Sequence, residues 1–247
     1  MKVMYAAMMA AVATAARGDA VSLTLGGIQN SVVGNETAVF GGKANTASGV
    51  QTSVLGGLLN QAGGSVTVAV GGQQNFAGGV LSTTLGGELN GAFGASSVAV
   101  GGTSNSASGL TSIALGGSGS TSQGESSVTV GGKSSHASGT LSVALGGAFA
   151  MGGANYSVAI GAGAQTAAED TGAVVLSAYA PQISDDGQVA PPSQACLSAG
   201  PGSVSICAVG KVTMSGAALV VNNVDVLAEL TALRAELAAL KGSRRLR

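Results

Sequence analysis

The chain has 247 residues, of which 42 are glycine, none is tryptophan and 9% are charged, with a formal net charge of -1 at pH 7. So little charge excludes the basic footprint of a nucleic-acid-binding protein. Between Val21 and Gln165 only Glu36, Lys43, Glu88, Glu125 and Lys133 are ionised, too sparse a set to steer a charged partner.

Residues 1–20 read as a secretory signal peptide. Met1-Lys2 leads into an apolar run from Val3 to Val12, and small residues then offer cleavage after Ala15 or Ala20. Arg17-Gly18-Asp19, an integrin-type tripeptide, falls at this junction, where chance explains it best.

From residue 21 to 176 the chain repeats every fifteen residues, with a glycine at Gly26, Gly41, Gly56, Gly71, Gly86, Gly101, Gly116, Gly131, Gly146 and Gly161. So short a period marks a solenoid whose units depend on stacked neighbours. A large apolar residue precedes each glycine, from Leu25 and Phe40 to Ile160, and a mostly apolar residue stands two positions earlier, from Leu23 to Val158. Spacing two predicts a strand with this pair on its buried face. A hydroxyl column (Ser22, Thr37, Thr52 to Ser157) suits a corner where it satisfies backbone groups. A second glycine (Gly27 to Gly147) and a third (Gly34 to Gly139) are expected to supply positive φ at two corners. Between them lie an asparagine column, Asn30 to Asn105, and a small-residue column, mostly alanine from Ala47 to Ala167, predicted to point inward from a second short strand.

Ten such coils at the ordinary strand spacing make a rod about 50 Å long. Its girth leaves a thin core, which calls for oligomerisation or disulfides. The sequons Asn35-Glu36-Thr37 and Asn155-Tyr156-Ser157 share one variable column, so sugars on them would emerge along one edge; chance tripeptides in a Ser/Thr-rich chain are as good an account.

Residues 177–194 read as a linker around Ser184-Asp185-Asp186-Gly187, a solvated turn rather than a calcium loop. In 195–221 Pro201-Gly202 suits the centre of a turn, and folding symmetrically about it predicts a β-hairpin and neck with Cys196 opposite Cys207; in an oxidising compartment these form a disulfide. In 222–241, Val226, Leu230, Leu233, Leu237 and Leu240 alternate spacings of four and three, the seam of a coiled coil. With Leu230 at position a, Glu229 and Glu236 fall at g and Arg234 and Lys241 at e, the pairing of parallel helices from different chains. Residues 242–247 form a basic tail.

The repeat Ser97-Val98-Ala99-Val100-Gly101-Gly102-Thr103-Ser104-Asn105-Ser106-Ala107-Ser108-Gly109, with Ser157-Val158-Ala159-Ile160-Gly161, resembles the head repeats of YadA-like trimeric autotransporter adhesins, where S-V-A-I-G-x-x-S-x-A-x-G recurs. The resemblance covers Val21 to about Ala168. It implies an all-β solenoid, a left-handed parallel β-roll, three chains about a threefold axis, and non-enzymatic adhesion to a matrix or cell-surface ligand. The chain follows its short coil with no membrane-barrel anchor, so an integral anchor is not expected.

The expectation is therefore a secreted or cell-surface homotrimeric fibre or adhesin head, with no cofactor or metal. Alternatives are a phage- or virus-tail-fibre-like structural protein and, further off, an ice-binding solenoid, which the lack of Thr-x-Thr rows disfavours. Catalysis is not expected: His136 lies in a variable column, and no base, nucleophile and orienting group recur together.

Overall fold

Each fifteen-residue period folds into one coil carrying a three-residue strand and a two-residue strand, as in Val98–Val100 and Ser106–Ala107. The structure is a computed structural model that describes residues 22–178, 182–183, 189–190, 195–208, 220–221 and 224–244, with side chains described at 22–178, 195–208 and 228–237. The long strands stack in chain order into a 12-stranded sheet and the short ones into an 11-stranded sheet, every pairing parallel within them. Register advances by one period per coil, Val98 opposite Ile113 and Ser106 opposite Thr121. The protein is an all-β parallel solenoid of about ten coils of about fifteen residues.

Backbone groups find partners in both neighbouring coils. The strand amide of Val98 donates to Ser112 O ahead at 3.0 Å, while the corner amides of Leu59 and Val66 donate back to Lys43 O at 3.0 Å and Val50 O at 2.7 Å. Those corner residues sit at positive φ, 57° for Leu59 and 56° for Val66, a conformation costing an ordinary L-residue about 1–2 kcal/mol. Positions equivalent to Val66 recur as Gln51, Leu81, Ser96 and Thr111, held open by the same inter-coil bonds.

The strand parity is the reverse of the sequence expectation. The middle residue of the long strand points inward, and Val39, Val54, Ala69, Ala99, Ala114, Ala144 and Ala159 are fully buried. The large apolar pair on either side faces out: Phe40 is 42% and Leu55 44% exposed. The inward alanines of the short strand (Ala47, Ala62, Ala77, Ala92, Ala107, Ala137) are buried as expected, so the two sheets lie close. Such an interior accepts one small side chain from each sheet per coil, and two Val or Leu side chains would overfill it.

The glycine columns divide by cause. At Gly72, φ is +74°, and an added Cβ would collide with Gly87 O and the Asn75 amide, so conformation and space both demand glycine. Gly79 lacks the positive φ expected of its column; it is glycine because the backbone of Gly94 lies directly against it. The positive φ of that corner falls two residues on, at Leu81.

In the tenth coil the spacing breaks, with Met151 opposite Gln165 and Val158 opposite Val174. Thr166 thereby takes the inward place expected of Ala167, and its hydroxyl accepts from Gly153 N at 2.9 Å.

The hairpin expected at Cys196–Cys207 does not form. Cys196–Leu197 joins the short-strand sheet beside Ala164, and Val204–Ala208 joins the long-strand sheet beside Val174. Each flank completes an open sheet edge, so the segment 196–208 is a further coil rather than a hairpin, and Gly202, at φ +65°, turns its corner, while the neck expected at 212–216 lies outside the described residues. Within the expected linker, Gln182–Ile183 pairs antiparallel with Val189–Ala190. The signal-peptide segment 1–20 and the tail from 245 lie outside the described residues. Residues 210–247 form a separate unit, whose described residues comprise an antiparallel pairing of Val220–Val221 with Val224–Asp225 and the helix Val226–Arg244.

Candidate interaction surfaces

The asparagine column, which the sequence singled out without a role, forms a ladder. Asn60, Asn75, Asn90 and Asn105 are each 1% exposed. In each, Oδ1 accepts the backbone N–H of the residue one coil on: Asn90 N to Asn75 Oδ1 is 3.0 Å. The amide nitrogen then donates to two carbonyls, for Asn75 those of Gly71 at 3.2 Å and Gly87 at 3.1 Å. The ladder ends where Ser120 N donates to Asn105 Oδ1 at 3.0 Å. One asparagine side chain thus satisfies three groups on two adjacent coils, and the narrow rod draws specificity from amides where a larger domain would draw it from apolar volume. From Thr37 to Ser157 the hydroxyl column is buried as well; Ser97 Oγ and Ser157 Oγ donate to Gly94 O and Ala154 O, each at 2.7 Å, whereas the buried hydroxyls of Thr52, Ser82, Ser112, Ser127 and Ser142 have no partner among the described residues.

The core is discontinuous. An apolar cluster from Val39 to Ala69 stops at Thr84, whose buried Oγ1 has no hydrogen-bond partner. A second, Ala92 to Ala114, stops where Ser122 donates to Thr129 Oγ1 at 2.7 Å across the interior. A third joins Ala159, Ala164, Val175 and Cys196, with Cys207 packed against it. The Cys196–Cys207 disulfide, Cα–Cα 5.7 Å, ties one sheet to the other at this last coil. Beside it Ser198 Oγ donates to the buried Asp170 carboxylate and accepts from Ala167 N at 2.9 Å.

Outside the rod, the long-strand sheet presents two rows of large apolar side chains. One row runs Val68, Val98, Ile113, Val128, Val143, Val158, and its companion Leu55, Val70, Leu85, Val100, Leu115, Val130, Leu145 and Ile160. All are half-buried or exposed, Leu85 at 38% and Ile160 at 36%. Neither row carries a charged residue; the companion row runs the length of the stack, while the first is broken by Ala38, Ser53 and Thr83 and is continuous from Val98 onward, together an area of apolar surface that isolated soluble chains rarely leave uncovered. The second sheet's outer face is different, being rich in Ser, Thr and Gln.

Of the other residues singled out from sequence, Asn35 and Asn155 are exposed at the same corner of different coils. Asn155 Oδ1 accepts from Thr140 N at 2.9 Å, and Thr37 and Ser157, the sequon hydroxyl residues, are buried. His136 is half-buried on the short-strand face, its Nδ1 3.1 Å from Ser134 O. On the helix, Leu230, Leu233 and Leu237 are 47%, 58% and 53% exposed, while the side chains of Val226 and Leu240 lie outside the described set. Among the described residues no three of His, Cys, Asp and Glu cluster to hold a metal ion, and no helix is long and apolar enough to cross a membrane.

Fold and surface together define a parallel β-solenoid with one apolar and one polar face. No family model matches the chain, and no curated protein matches it.

Proposed function

We propose that this chain is the head of a secreted or surface-exposed homotrimeric fibre, a non-enzymatic element that presents repetitive faces for adhesion or fibre assembly. The observation that carries the reading is the double row of outward Val, Leu and Ile on a rod whose interior holds mostly alanine. A fold normally buries its largest apolar residues first, at about 25 cal/mol per Å2 removed from water. Here the smallest are inside and the largest outside, which is the arrangement expected of a protomer whose second core forms between chains.

The helix Val226–Arg244 supports the same reading, since its leucine seam is exposed on a single chain and its e and g charges suit parallel self-association. The left-handed β-roll of YadA-like heads is the nearest architectural idea, and the repeat Ser97 to Gly109 is its basis in this chain. The ligand would be an extracellular matrix or cell-surface molecule, and secretion follows from the reading of residues 1–20.

Charge placed in the rows tests this directly. Val100→Asp with Val130→Asp is expected to convert the trimer to monomer, whereas Ser106→Asp with Ser108→Asp on the opposite face leaves it intact. Wild-type protein that is already monomeric at micromolar concentration would defeat the reading.

A further inference from the structure

The polar outer face of the short-strand sheet carries one feature that neither stacking nor the apolar rows explains. The chain has four phenylalanines, and two of them, Phe76 and Phe93, meet on this face with ring centroids 5.5 Å apart and planes tilted by 49°. They come from adjacent coils and from opposite rows: Phe76 stands in the row of Gln61, Gly91 and Ser106, and Phe93 in the row of Gly78 and Ser108.

Glycines make the room. The Phe76 ring crosses its own strand to lie where a Cβ on Gly78 would be and reaches Gly63, whose added Cβ would be 3.2 Å from Cε2. The Phe93 ring crosses the other way and occupies the space above Gly91. Each ring therefore covers a neighbouring glycine, and together, with planes tilted by 49°, they form a shallow aromatic patch. Phe93 remains 52% exposed.

The surroundings select the ligand's chemistry. In the two outward rows of this sheet there is no Asp, Glu, Lys or Arg among the described residues; Thr46, Ser48, Gln61, Ser106, Ser108 and Thr121 flank the rings. A face without charge offers nothing to an ionic ligand. The rings carry a negative quadrupole on their faces, which attracts weakly positive C–H groups. Hydroxyls and amides repeat beside them at the coil rise of about 4.8 Å, ready to donate to and accept from neutral hydroxyls.

We propose that Phe76 and Phe93 form the stacking platform of a binding site for an uncharged polysaccharide, with the pyranose C–H face on the rings and its hydroxyls on the flanking Gln61 and Ser/Thr side chains. This deepens the adhesion reading by naming a ligand class, and it rests on that reading in leaving this face uncovered while the apolar rows meet other chains.

The test is affinity electrophoresis of the full chain through gels containing hydroxyethylcellulose, mannan or polygalacturonate, with a gelatin-coated surface assayed in parallel. Wild type is expected to be retarded by a neutral polysaccharide and not by polygalacturonate. Phe76→Ala with Phe93→Ala should weaken retardation about tenfold or more, and Phe93→Tyr, which keeps the ring, should retain it. Circular dichroism and sedimentation of each variant verify fold and assembly. No retardation in any neutral gel, equal retardation of the double alanine variant, retardation by polygalacturonate alone, or ring-dependent capture by gelatin alone would each overturn the proposal. A wild-type trimer that is not retarded would sink the platform and leave the fibre reading standing; a wild-type monomer would sink the fibre reading instead.

Discussion

Replacing Asn75 by alanine removes one rung from the middle of the ladder, and the structure sets the size of the loss. The backbone N–H of Asn90, in a residue 1% exposed, loses its acceptor at 3.0 Å. Gly71 O loses the Nδ2 donor at 3.2 Å, whereas Gly87 O keeps the backbone N–H of Gln73 at 2.9 Å. One stranded buried donor costs about 1–3 kcal/mol and one part-buried carbonyl about 1 kcal/mol more, so the substitution should cost about 2–4 kcal/mol. Asn155→Ala is the matched control. It too removes a side-chain acceptor, that of Thr140 N at 2.9 Å, but at an exposed corner where water replaces it, and should cost under about 1 kcal/mol. Asn75→Asp keeps the acceptor and turns the donor into an oxygen facing two carbonyls, so it should be worse than alanine at neutral pH. Guanidinium unfolding followed by far-UV circular dichroism, at one fixed protein concentration, compares the four proteins. Asn75→Ala within about 0.5 kcal/mol of wild type, or no different from Asn155→Ala, would refute the ladder's role.

Two further substitutions probe the interior. Thr84 is fully buried with its hydroxyl unpartnered, in a column where Val39 and Val54 already fit, so Thr84→Val should stabilise by about 1 kcal/mol; a lower denaturation midpoint would show that the hydroxyl has a partner after all. Cys196 and Cys207 are 11 residues apart, so opening their disulfide should cost about 3 kcal/mol on loop entropy; Cys196→Ala with Cys207→Ala should melt at the same temperature with and without reductant, while the wild type loses stability only with it.

The solenoid is legible because the column of Gly71 sits at positive φ in every coil, from Gly26 to Gly161, and the column of Gly72 meets a demand of conformation and one of space together and gives way only at Ala162. The inward alanines are legible because a narrow interior keeps this column small, with Ala77 and Ala92 fully buried. The parity of the long strand is not legible from hydrophobicity alone, because the narrow interior selects its side chains by volume. The clue was present: the column of Ala69, Thr84, Ala99 and Ala114 never holds anything larger than valine, as a narrow interior requires, while Leu25 and Phe40 vary in size as surface positions do. The second corner was illegible in principle, because the left-handed residues there include Val66 and Thr111, whose side chains disfavour that conformation. Inter-coil hydrogen bonds impose it. The cysteine pair is legible but its geometry is not: symmetry about Pro201-Gly202 suggests a hairpin, whereas the open edges beside Ala164 and Val174 offer parallel partners that local sequence does not display. The Phe76–Phe93 platform needed the register, because only stacking brings side chains 17 positions apart into contact.

Sedimentation equilibrium on the full chain, and on a version lacking residues 222–247, weighs most directly on the claim that copies of this chain cover its outward apolar rows. The account predicts three times the chain mass for the full protein, and for the shortened one a weaker, concentration-dependent trimer held by the rows alone. A single-chain mass for both proteins across the micromolar range would contradict it.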